Sequence, residues 1–106
     1  MKLSVPERMA LLEIMPAQSS YEGVTEIFRT INVLRLTDDE AIAIDVQPIE
    51  GSIQFNQEKA MTLITDIPIG EWMTNVIRKI LRKIDEADEL TINQMSLYEK
   101  FILDYS

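Results

Sequence analysis

The sequence predicts an α+β fold of about four helices, with a small three-stranded antiparallel sheet inserted between helices 2 and 3. Three observations lead there. Ser-x-x-Glu and Thr-x-x-Glu/Gln capping boxes recur at Ser4, Thr37 and Thr91, each ahead of an apolar run. Apolar residues at steps of three and four mark amphipathic helices before and after the middle of the chain. Between them, Ile44 to Ile67 is rich in Ile, Thr and Val with turn residues interspersed, the composition of short strands. The 106 residues, 46% hydrophobic and 26% charged, suit one domain spanning 1–106.

Taken in order, Ser4-Val5-Pro6-Glu7 starts a helix over Val5 to Ile14, with Met9, Leu11, Leu12 and Met15 as its apolar stripe and Pro16 as its stop. After the loop Pro16 to Ser20, Val24, Ile27, Phe28, Ile31 and Leu34 share one face of a second helix of about four turns. Glu22 and Glu26 suit its N-terminal dipole. Thr37-Asp38-Asp39-Glu40 starts a short helix, followed by a strand from about Ile44 to Ile49 whose Pro48 suits an edge. Glu50-Gly51-Ser52 turns the chain into Ile53-Gln54-Phe55, and Met61 to Ile67 supplies a third strand. Pro68 opens the longest helix, with Trp72, Met73, Val76, Ile77, Ile80, Leu81 and Ile84 on its apolar side, ending within Asp85 to Glu89. Thr91 caps the last helix, which carries Met95, Leu97, Tyr98, Phe101, Ile102 and Tyr105.

Composition removes whole classes of chemistry. The chain has no Cys and no His, so disulfides, Ser-His or Cys-His pairs and zinc sites of the His/Cys kind are impossible. No loop has calcium-site spacing, and the 3 glycines are too scattered for a phosphate cradle. No cofactor and no metal is expected, nor catalysis. Pro6, Glu7 and Arg8 break any apolar run after Lys2, and no stretch approaches the ~18 apolar residues of a membrane span. A cytoplasmic protein without a membrane partner is the expectation. The net charge of −8 repels nucleic acid and anionic membranes at long range.

Four sets of residues stand out. Arg78, Lys79, Arg82 and Lys83 form a basic quartet with partners four apart on a helix. It lacks the interleaved aromatics of a nucleic-acid patch, and pairing with Glu71 or Glu86 is the simpler reading. Asp38, Asp39 and Glu40 sit where carboxylates stabilise a helix start, and Asp85, Glu86, Asp88 and Glu89 suit a solvated turn. Trp72 with Met73, and Tyr98 with Phe101 and Tyr105, read first as core and core edge; exposure of any of them would make it an interface candidate. Arg78, Lys79, Arg82, Lys83, Trp72, Tyr98 and Tyr105 are therefore the candidate partner-binding residues.

The opening Glu7-Arg8-Met9-Ala10-Leu11-Leu12-Glu13-Ile14-Met15-Pro16 resembles an E-R-x-x-L-L-x-I-L-P pattern. Together with Gly51 to Ala60 and the ending Leu90 through Ser96-Leu97-Tyr98-Glu99-Lys100-Phe101, it resembles a group of small uncharacterised proteins encoded by bacteriophages and prophages. Phe55 stands where that pattern has Trp, and Ala87-Asp88 where it commonly has Gly. The resemblance implies a phage product in the bacterial cytoplasm and names no reaction. The expected function is a non-enzymatic accessory role, binding a host or phage protein. One alternative is an anti-defence inhibitor that mimics nucleic acid with its acidic surface; another is weak nucleic-acid binding through the basic helix 78–83. Unpaired edges of the expected sheet also motivate a homo-oligomer.

Overall fold

In the computed structural model, which describes residues 1–49 and 52–104, the chain is mostly helical. Its elements are β1 (Lys2–Leu3), α1 (Val5–Glu13), α2 (Tyr21–Leu34), α3 (Asp38–Ala43), β2 (Gln47–Ile49), β3 (Ser52–Gln54), α4 (Gln57–Thr62), β4 (Thr65–Asp66), α5 (Glu71–Glu86) and α6 (Ile92–Tyr98), which runs on into a π-helical turn (Glu99–Leu103). This overturns the expected three-stranded sheet. β2 and β3 pair antiparallel with Gln47 opposite Gln54, but no third strand joins them among the described residues. The turn expected at Glu50-Gly51 lies outside the described residues.

The stretch read as a third strand splits in two. Asn56 accepts a hydrogen bond from the Lys59 amide at 3.0 Å and so caps α4, which takes in Met61 and Thr62. What remains, Thr65–Asp66, pairs antiparallel with Lys2–Leu3 at the other end of the chain. Local propensity favoured a strand; a cap and a distant partner decided otherwise. With the meander gone, the exposed edges that motivated self-association shrink to two ribbons of two and three residues per strand.

All three capping boxes form with both halves present. Ser20 caps α2 through the Gly23 amide at 3.1 Å, a start the apolar spacing alone did not mark. α5 begins at Glu71, behind a Gly70 cap, rather than at Pro68. α5 and α6 are separated by Ala87-Asp88, where Asp88 takes φ 57°. A left-handed residue here lets the Asp88 amide reach the Asp85 carbonyl at 3.0 Å and the Glu89 amide reach Ile84 at 3.0 Å, closing the helix end. Glycine occupies such a position most easily, since an L side chain is disfavoured there.

The main core gathers Leu3, Leu11, Ile27, Leu34, Ile67, Met73, Ile77, Leu81, Leu97 and Phe101 from both ends and the middle of the chain. Burying each such side chain contributes roughly 1.5–3 kcal/mol of transfer free energy. A smaller cluster of Val5, Ile44 and Ala60 holds α3 and α4 against the start of α1.

One of the most deeply buried side chains is charged. Arg8 is 2% exposed. Its Nε donates to the Leu34 carbonyl at 3.0 Å and Nη2 to the Arg35 carbonyl at 2.7 Å, so it satisfies the open C-terminal end of α2. Nη1 and Nη2 also grip both oxygens of Glu40 at 2.5 and 3.2 Å. Glu40 is the capping-box carboxylate of α3, accepting from the Thr37 amide at 3.0 Å, and it accepts from the Thr65 hydroxyl at 3.1 Å. One ion pair thus ties α1, α2, α3 and β4 together. The hydrogen bond from Arg8 is the main cause that holds the Glu40 carboxyl down at about 2, against the upward pull of burial and with help from Thr37, Thr65 and the Arg8 charge.

Three predictions follow from these contacts. Replacing Asp88 with Gly should relieve the left-handed strain and remove a carboxylate from a helix C-terminus, raising stability by about 0.5–1 kcal/mol in a denaturant titration. A double-mutant cycle with Arg8→Met and Glu40→Leu should give single-variant losses of about 3–5 kcal/mol but a double variant less damaged than their sum. A depressed carboxyl stabilises the fold fully above its unfolded value of 4.5, and that contribution drains away as pH falls towards about 2. Circular dichroism across this window should show falling stability in the native chain and a flatter profile for Glu40→Gln.

Candidate functional site

α2 exposes part of the apolar arc that its spacing assigned to the core. Its buried residues are Gly23, Ile27, Thr30 and Leu34, successive steps of four, three and four. Val24 and Phe28, expected inside, are 43% and 60% exposed, and Tyr21 is 88% exposed. The apolar arc is wider than the surface that the rest of the molecule covers, so its outer edge faces water.

Trp72, the single tryptophan of the chain and the second residue of α5, is 45% exposed and stands beside this edge. Gly23 allows the approach. A Cβ there would lie 3.1 Å from Trp72 Cη2 and 2.0 Å from Ser19 Oγ, so any side chain would push apart the indole and the Pro16–Ser20 loop. Glycine is used at this point for close packing, not for its backbone freedom.

Three open depressions adjoin one another here. One of about 460 Å³ lies between Tyr21, Glu22, Glu26, Arg29 and Trp72. A second, about 240 Å³, runs along the other side of Trp72 past Pro16, Val76, Lys79 and Lys83. The third, about 160 Å³, is formed by Pro16, Ala17, Val24, Phe28 and Ile31. Ile27 and Pro16 border both of the smaller ones, which makes the three a single furrowed surface. Glu26 and Arg29 pair across 2.9 Å at its edge.

The structure divides the basic quartet. Lys79 and Lys83 join Trp72 on this surface. Arg78 and Arg82 lie further round the helix, about 60–140° from the two lysines. Arg78 is half-buried and engaged in contacts of its own, while Arg82 lies near Tyr98. Tyr98 itself packs against the main core and donates its hydroxyl to Asp85 at 3.2 Å. Burial, then the Asp85 carboxylate, pushes its phenol up, with Arg82 pulling the other way. Tyr98 is therefore a core-edge residue, and Tyr105 lies outside the described residues. Tyr21, Val24 and Phe28 were not among the expected contact residues; the only signal for them was an apolar arc too broad for a helix with one covered side.

The carboxylates most tightly engaged have structural work. Glu40 holds Arg8, Glu7 holds Lys100 at 2.7 Å, and Asp45 holds Lys59 at 2.9 Å. Among the described residues, no group of three or more Asp or Glu could hold a metal ion, and no helix is long and apolar enough to cross a membrane. The chain matches no protein-family model, no curated protein and no solved structure.

Proposed function

We propose that this chain is a non-enzymatic accessory protein, phage-encoded and working in the bacterial cytoplasm, that acts by binding a host or phage protein. The observation that carries this reading is the furrowed surface of α2 and Trp72. It offers exposed aromatic anchors, Tyr21, Phe28 and Trp72, separated by depressions that would accept a partner's side chains. Aromatic residues in such a setting supply most of the energy in protein interfaces. A rim of Glu22, Glu26, Arg29, Lys79 and Lys83 would add register and selectivity.

The surface has no converging nucleophile, acid and base, and its concavities are open to solvent, which supports recognition over catalysis. The nucleic-acid mimic fares less well. Several carboxylates it would display, Glu7, Glu26, Glu40 and Asp45, are committed to cations of the chain itself. Binding of nucleic acid through 78–83 is weakened in turn, because Arg78 is half-buried and engaged in contacts of its own, which leaves fewer than four cations to meet phosphates.

Affinity capture from bacterial lysate with the wild-type chain and a Phe28→Asp variant, followed by mass spectrometry, tests the proposal. Phe28 is exposed, so the variant should keep its circular dichroism and thermal midpoint. A specific protein retained by wild type should be depleted about tenfold or more by Phe28→Asp, as for an aromatic anchor. An Asp39→Asn control should retain it. Equal recovery with Phe28→Asp, or no specific protein from several hosts, overturns the assignment to this surface.

A further inference from the structure

The furrowed surface of α2 and Trp72 carries unpaired charge of both signs, and the two signs are kept apart. Trp72 borders two of its depressions. The one of about 460 Å³ is lined by Glu22, with Tyr21 as a second aromatic beside it. The one of about 240 Å³, on the other side of the indole, is lined by Lys79 and Lys83 together with Val76 and Ile80. Glu22, Lys79 and Lys83 are exposed and make no ion pair among the described residues. Glu26 and Arg29 share the first depression but pair with each other, which leaves it the single charge of Glu22.

The spacing on α5 produces this segregation. Lys79 and Lys83 stand two and three turns beyond Trp72, within about 20° of it around the axis and about 10 and 16 Å along it. Two lysines four residues apart repel each other, and a carboxylate beside them would relieve the repulsion. The chain has 18 acidic residues from which to supply one, yet none answers this pair. Glu22 lies in the first turn of α2, where the helix dipole suits it, and its carboxylate stays open to a cation from outside. An aromatic ridge between an anionic end and a cationic end has a complement whose charges run in the reverse order.

We infer that this surface receives a segment of a partner protein carrying an arginine or lysine towards Glu22, an apolar side chain against Trp72, and an Asp or Glu towards Lys79 and Lys83. This rests on the protein-binding reading above and names the chemistry of the partner. The basic residue enters a depression flanked by Tyr21 and Trp72, whose rings attract a cation in addition to the carboxylate. At the other end two ammonium groups share one carboxylate, which makes the acidic residue the stronger of the two charged contacts. Opposite ends also fix the direction of the segment, because the reverse direction sets like charges together. The span of about 10–16 Å from Trp72 to the lysines sets its spacing, roughly three to five residues from anchor to acid if extended and roughly seven to eleven if helical. The field of the whole chain, at −8, favours a partner that is basic outside this segment.

The test selects random peptides lacking tryptophan, displayed on messenger RNA, against the immobilised full chain. Enriched peptides should share the order base, apolar anchor, acid. They should shift the emission of Trp72, the single tryptophan of the chain, saturably and with weaker binding at higher salt. Lys79→Glu with Lys83→Glu should weaken a selected peptide about tenfold or more, and exchanging that peptide's acidic residue for lysine should restore it. Glu22→Lys should act likewise at the basic end, with rescue by glutamate in the peptide; rescue also shows that each variant keeps its surface. Enrichment of any other charge order overturns the inference, as do charge reversals without effect or without rescue, or failure to enrich a peptide that shifts Trp72. A dimer seen by light scattering and dissociated by the double lysine reversal overturns it too, because a second copy is then the occupant. Peptides that lose binding with Phe28→Asp but ignore the charge reversals sink the charge order while the protein-binding reading, tested by lysate capture, stands.

Discussion

The fold depends on a guanidinium taken out of water. Arg8 is surrounded by the C-terminal carbonyls of α2 and the carboxylate of Glu40, and each of its neighbours needs it. Without Arg8, the end of α2 would present open carbonyls to a buried space, and Glu40 would lose the cation that keeps it ionised. Without Glu40, a nearly inaccessible positive charge would have only carbonyl dipoles to answer it. Charges in such surroundings give little net stability over a well-packed apolar substitute, but removing one partner is severe. What the pair supplies is specificity. Only one approach of α1, α2 and α3 lets the fork meet two carbonyls and two carboxylate oxygens together.

The neighbouring residue repeats this logic across the ends of the chain. Glu7 completes the cap on α1 and holds Lys100, whose ammonium also donates to the Lys2 carbonyl at 2.8 Å. The Glu7-Arg8 pair and Lys100 belong to two of the three segments from which the sequence reading drew its expected phage resemblance, and in this molecule these two meet. Glu7, Arg8 and Lys100 each have a structural partner. A motif with charged residues can therefore mark the joints of a small domain as readily as an active centre. The π-helical turn that follows α6 is closed by the Asp104 amide on the Glu99 carbonyl at 2.8 Å, and it begins one residue before Lys100.

Helices were legible in the sequence where a cap announced them. Ser4, Thr37 and Thr91 each formed the reciprocal bonds their spacing implied, because a capping box is a local device that needs no tertiary partner. Strands were not legible to the same degree. Thr65–Asp66 is a strand only because Lys2–Leu3 lies beside it, and nothing within Met61 to Ile67 encodes that distant pairing. Asn56 had the residue type of a cap but was hidden in a polar run that reads equally well as loop. Arg8 was illegible as a core residue, since arginines on amphipathic helices usually face water. For α2 the apolar arc was read correctly and its burial was not. Which edge of the arc is covered depends on where α1 and α5 lie, and that is decided by Gly23 admitting Trp72 and by Arg8 fixing the far end.

The exposed apolar side chains and the acidic charge pose one problem together. Tyr21, Phe28, Ile92 and Met61 in water favour association, which a small domain avoids by carrying like charge. A second copy of this chain would bring another −8 to the encounter. A partner with basic side chains would instead gain from the same field that keeps copies apart, in encounter rate and in register. On the protein-binding reading proposed above, the charge would therefore favour a heterologous, basic occupant of this apolar surface over a second copy of the chain.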